Sequence, residues 1–191
     1  LAVVGVLVFW LPGQLKSYTA SVLPAPTRAT LGEMALADLA QLTGQPCKSL
    51  PGRRAATGLA ERLFPESPPR IEVLPDGLGQ PGHLVGNILL LPANLVERAD
   101  GPEVLAGFLL AEDLRARALD PADALLTHIG LGATLRLLTT GTLPEGAAKG
   151  FGERYLASAP AALPAPDALV TAFQTAQVST ALYAEASAAD P

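Results

Sequence analysis

Glu112 carries the most chemical promise in this sequence. It lies in the stretch PEVLAGFLLAEDLRAR, Pro102 to Arg117, whose apolar spacing predicts one amphipathic helix with an acid in its middle. A carboxylate so placed can serve as a general base, or it can pair with Arg115 or Arg117. Arg115 stands at i+3, where a surface ion pair contributes ~0.2–0.5 kcal/mol. A buried acid in a cleft is a functional signal, so Glu112 is the one catalytic candidate, weighed against a solvated or ion-paired residue.

Other reactive side chains are sparse. The only histidines are His83 and His128, and Cys47 is the only cysteine. A lone cysteine excludes an internal disulfide and a Cys-based zinc site, and reads as a small buried hydrophobe. The two histidines lack a local chelating spacing, so no metal ligands are assigned. His83 is expected at the start of a strand, and His128 on a helix face as an ordinary half-buried imidazole. No G-x-S-x-G elbow, P-loop or G-x-G-x-x-G opening a helix appears. GLGQPG, Gly77 to Gly82, reads as a hairpin turn between two strands.

The elements that must position these residues follow from the same patterning. Thr30-Leu31-Gly32-Glu33 has capping-box spacing, and Leu31, Met34, Ala35, Leu39 and Leu42 continue a helix that Gly44 can cap. A second helix is predicted over 53–63, stopped by Pro65, Pro68 and Pro69. RIEVL, Arg70 to Leu74, alternates as a strand, and HLVGNILLL, from His83, is the best second strand. Helices are predicted over 93–98, 102–118, 121–139, 144–158 and 166–176, and the Ala-rich tail from Ser179 is weakly patterned. The expected fold class is α+β, a mostly helical body with a small antiparallel hairpin or sheet.

Composition narrows the class of partner. Apolar residues make up 49% and charged residues 16% of the 191 positions, with a net charge of −5. That charge content is below the ~25% usual in soluble domains, and the mean hydropathy is +0.33. The 13 basic residues are scattered, which argues against nucleic acid as partner. LAVVGVLVFWLPGQL is uncharged up to Lys16, does not begin with Met, and carries Trp10 near one end. It is read as part of a membrane helix in a chain cut from something longer, in preference to a signal-peptide remnant or an apolar core helix. The expected organisation is a membrane-associated partial span over 1–20, a linker over 21–29 and one domain over 30–191. Ala, Gly, Pro and Arg usage suggests a bacterium, hence an inner-membrane location with the domain facing the periplasm.

This order of elements resembles the membrane-associated zinc metallopeptidases of the HtpX and CAAX-prenyl-protease type. The resemblance is carried by QPGHLVGNILLLPANLV, Gln80 to Val96, where the family has a cleft-lining hairpin. It continues in GPEVLAGFLLAEDLRARALDP, Gly101 to Pro121, where the family has its active-site helix. It implies a zincin-type domain whose hairpin strand, His83, Leu84, Val85, Gly86 and Asn87, lines a binding cleft. It also implies zinc, held in the family by two histidines at i and i+4 with a Glu between them. Here the motif reads Ala111-Glu112-Asp113-Leu114-Arg115, so the Glu is kept and both histidines are gone. Glu145, Glu153 and Glu185 are the acids left for a third ligand, and none has the family's context. No cofactor is therefore expected.

The function so implied is a membrane-tethered pseudopeptidase, a binding or scaffold module in a membrane complex with a protein partner. Its cleft would take an extended peptide by strand addition beside HLVGNILLL. The alternatives are an active hydrolase with a non-standard site around Glu112, and a purely structural domain.

Overall fold

The computed structural model describes residues 23–158 and 162–189. Helix α1, Ala25–Thr43, starts with proline in its first turn, where the missing N–H costs nothing. It therefore begins before the expected capping box and takes in residues 25–29 of the segment expected as a linker. The Thr30 hydroxyl, expected to cap a helix start, instead donates to the Pro26 carbonyl one turn back, at 3.1 Å. Helix α2, Leu50–Leu63, is capped by Ser49, whose Oγ accepts from the Gly52 N–H at 3.2 Å.

Strands β1 (Arg70–Leu74), β2 (Gly82–Leu84) and β3 (Ile88–Pro92) form one sheet in the order β1-β3-β2. The expectation of a single antiparallel pair is corrected in two respects. β1 runs parallel to β3, and HLVGNILLL is not one strand but the β2–β3 hairpin itself. The reversal falls at Gly86 and Asn87, whose φ values of 86° and 61° are both left-handed. The glycine-rich stretch after β1 is a crossing from one edge of the sheet to the other, not a hairpin turn.

β3 explains why the sheet sits where it does. All five of its residues are buried, as expected of a central strand covered on both faces. Ile88 and Leu90 pack with Leu39, Leu126 and Phe151 in one cluster, while Leu89 and Leu91 pack with Leu63, Leu109 and Phe173 in another. Alternation along one strand thus divides the core into two halves.

Helices α3 (Ala93–Arg98), α4 (Pro102–Ala118), α5 (Pro121–Thr140), α6 (Phe151–Ala157), α7 (Pro166–Ala176) and α8 (Ala181–Ala189) complete the described chain. α3, α4 and α7 match their predicted spans. α5 is broken at Gly130, where φ is 81°. The helix expected from 144 starts only at Phe151, because Gly146 and Gly150 take φ of 72° and 78° in the turns before it. The weakly patterned tail contains α8.

The class is α+β, as expected. The expectations of a transmembrane helix and of an inner-membrane location are corrected. No helix among the described residues is long and apolar enough to cross a membrane. Residues 1–20, on which those expectations rested, lie outside the described residues.

Candidate functional site

α4 carries Glu112 into the interior. Pro102 and Glu103 open the helix, and Arg115 and Arg117 occupy its last turn, both favourable to the helix dipole. Glu112 is only 3% exposed, a position that a carboxylate tolerates only with partners. It has one on each oxygen. Arg115 Nη1 donates to Oε2 at 2.7 Å, and His83 Nδ1 lies 2.5 Å from Oε1. Arg117, the other partner considered, turns outward to Asp113 at 2.7 Å.

The Glu112–Arg115 pair was readable from the i+3 spacing. The His83 contact was not, since the two residues lie on different elements. A buried acid's need for a second donor was the only available signal, and it does not name the donor.

Tyr155 of α6 completes the group and was not singled out from sequence. Its hydroxyl accepts from the His83 N–H at 3.0 Å and donates to the His83 carbonyl at 3.2 Å. One side chain thus satisfies both backbone groups of the middle residue of edge strand β2. The approach requires glycine at 82, because a Cβ there would stand 2.2 Å from the Tyr155 hydroxyl oxygen. Burial, reinforced by the Glu112 charge, pushes the Tyr155 phenol well above its ordinary range despite the opposing His83 backbone hydrogen bond. It therefore remains a neutral donor. On the far side of α4, burial likewise raises the Tyr183 phenol, with the Arg115 charge opposing and the Glu112 charge adding. Its ring lies over Gly107, where a Cβ would meet it at 2.6 Å.

An open cleft of about 680 Å³ is walled by Gly82, His83, Glu112, Arg115, Leu119 and Tyr155, among others. Leu119 is 72% exposed, an uncovered apolar side chain in the wall. A second cavity of about 300 Å³ lies against the hairpin, between Arg28 and Arg117, and His83 borders both.

The expected hairpin residues line the smaller cavity, and of the five only His83 also reaches the larger. The Leu84 and Val85 side chains are core, Gly86 makes the reversal, and Asn87 Nδ2 donates to the Ser67 and Pro68 carbonyls, each at 3.3 Å. Strand addition beside HLVGNILLL is corrected as well. β3 is flanked on both sides, and Tyr155 covers the outer edge of β2 at His83.

Arg28, in the wall of the smaller cavity, grips both oxygens of Asp120, in the wall of the larger, at 3.0 and 2.6 Å. Asp120 also accepts from the Ala122 N–H at 3.0 Å and so caps α5. Burial alone would raise its carboxyl, but the Arg28 hydrogen bonds, the Ala122 amide and the Arg28 charge hold it below its ordinary 3.8.

A zinc ion does not fit this donor set. At the two positions where the resemblance would place histidines stand the methyl of Ala111 and the guanidinium of Arg115, which already bonds Glu112. Glu145, Glu153 and Glu185 are exposed. No group of three or more His, Cys, Asp or Glu among the described residues could hold a metal ion. His128 is remote from His83 in role: its Nε2 meets the Lys149 carbonyl at 3.0 Å and its ring stands edge-on to Phe151. Cys47, read as buried, is exposed.

No protein-family model matches the chain, and no curated protein matches it in sequence.

Proposed function

We propose that this α+β body is a degenerate, zincin-type peptidase domain that serves as a protein-binding or scaffold module. The observation that carries the reading is the Arg115 guanidinium 2.7 Å from the Glu112 carboxylate. In a peptidase of this type the second metal ligand would stand at Arg115. A cation fixed in the protein takes the place of the metal's charge, so the carboxylate is held rather than freed to polarise water. The cleft remains, and its volume of about 680 Å³ falls within the ~300–1,000 Å³ of ordinary ligand sites. Its exposed Leu119 offers an apolar contact to a segment of a partner.

The test is selection from a random peptide library on the full chain. Selected peptides are expected to bind one to one, to stay uncut, and to lose about tenfold in affinity with Leu119→Glu. Cleavage of the bound peptides, or affinity indifferent to Leu119→Glu, contradicts the reading.

A metal-free hydrolase is the second reading, favoured by the His83–Glu112 contact of 2.5 Å. A carboxylate that orients an imidazole is a recurring general-base arrangement. Hydrolysis of a selected peptide, abolished by Glu112→Gln, would move this reading to the front.

A further inference from the structure

We propose that His83 is a positioned hydrogen-bond acceptor in the cleft wall, so that the ligand it selects must present an N–H donor, as a peptide amide does. The proposal rests on the reading of the cleft as a peptide-binding site and names the group by which it recognises a peptide.

A neutral imidazole carries its proton on one ring nitrogen and a lone pair on the other. The carboxylate of Glu112 can only accept, and its Oε1 lies 2.5 Å from Nδ1, which places the proton on Nδ1. The carboxylate cannot swing away, because Arg115 holds its other oxygen at 2.7 Å. Nor can the backbone beneath the ring shift. Tyr155 grips the His83 N–H and carbonyl from outside, and β3 pairs with β2 from inside.

In the neutral ring Nε2 is left with the lone pair, and no described residue donates to it. The ring, 17% exposed, borders both cavities. A fixed acceptor on the wall disfavours ligand carbonyls and carboxylates and favours N–H groups.

The tautomer and the donor preference can be read in one experiment on the full chain. Histidine side-chain nitrogens are isotope-labelled and followed by NMR at neutral pH, first alone and then with N-methylacetamide or N,N-dimethylacetamide. The two probes differ in a single N–H. His128 is the internal control, because its Nε2 faces the Lys149 carbonyl and carries the proton there.

The expected result is an Nδ1–H tautomer at His83, opposite to that at His128. Its Nε2 signal should respond several-fold more to N-methylacetamide than to the dimethyl compound. A proton on Nε2 of His83, whether as the other tautomer or as imidazolium, overturns the proposal, and so does an equal response to the two amides. A library that yields no peptide while the tautomer and amide response hold would sink the peptide reading and leave the acceptor assignment standing.

Discussion

Arg115 Nη1 stands 2.7 Å from Glu112 Oε2 within one turn of α4, with Glu112 buried and Arg115 half-buried. The pair is not a surface ion pair of the kind that contributes a few tenths of a kcal/mol. Glu112 is 4% exposed at its side chain, so removal of Arg115 leaves a buried carboxylate with His83 as its one remaining side-chain partner. Arg115→Ala is expected to cost about 3 kcal/mol, read as a shift in the denaturation midpoint at constant slope. A loss below about 1 kcal/mol would mean that water reaches Glu112 freely.

The Tyr155 hydroxyl makes a second prediction. Tyr155→Phe keeps the ring and removes the only group seen to satisfy the His83 N–H and carbonyl on the open side of β2. The expected cost is ~1–3 kcal/mol, with faster hydrogen exchange at the His83 amide and little change at the amides of β3. Unchanged exchange at His83 would mean that the edge is protected by something else.

Gly82 and Tyr155 should behave as a coupled pair. A Cβ at position 82 would lie 2.2 Å from the hydroxyl oxygen, so Gly82→Ala is expected to cost ~1–3 kcal/mol. In the Tyr155→Phe background that cost should fall, because the atom in the way has gone. Additive effects in the double-mutant cycle would show that the two do not meet.

The Asp120 carboxyl predicts an acid dependence. Its pKa in the folded chain is below the ordinary 3.8, so its contribution is present above that value and is lost as pH falls through the folded value. Wild type is therefore expected to exceed Asp120→Asn by about 1 kcal/mol near neutrality. The gap should close as pH is lowered from about 4. Urea midpoints across that range check it, and a gap that persists in strong acid would contradict the assignment to the Arg28 ion pair.

How much of this was legible in the sequence follows from which signals are local. The α4 span was readable because proline, apolar periodicity and terminal charges all lie within it, and so was the Glu112–Arg115 spacing. The β2–β3 hairpin was missed although Gly86-Asn87 is a turn signal, because an uninterrupted apolar run on each side reads as one strand. The parallel pairing of β1 with β3 was out of reach, since nothing local records that the chain crosses the sheet before turning back. His83 and Tyr155 were illegible as partners for the same reason. His83 meets Glu112, and Tyr155 meets His83, only after β2, α4 and α6 have packed.

The most direct test of the central claim, that a protein cation stands where a peptidase of this type would hold its metal, is equilibrium dialysis of the full chain against zinc. The Ala111→His, Arg115→His double variant is dialysed alongside. Wild type is expected to retain no stoichiometric zinc, and the double variant, with two imidazoles introduced at i and i+4 on either side of Glu112, is expected to gain one equivalent. One equivalent of zinc held by the wild type, and lost on Glu112→Ala, would contradict the account.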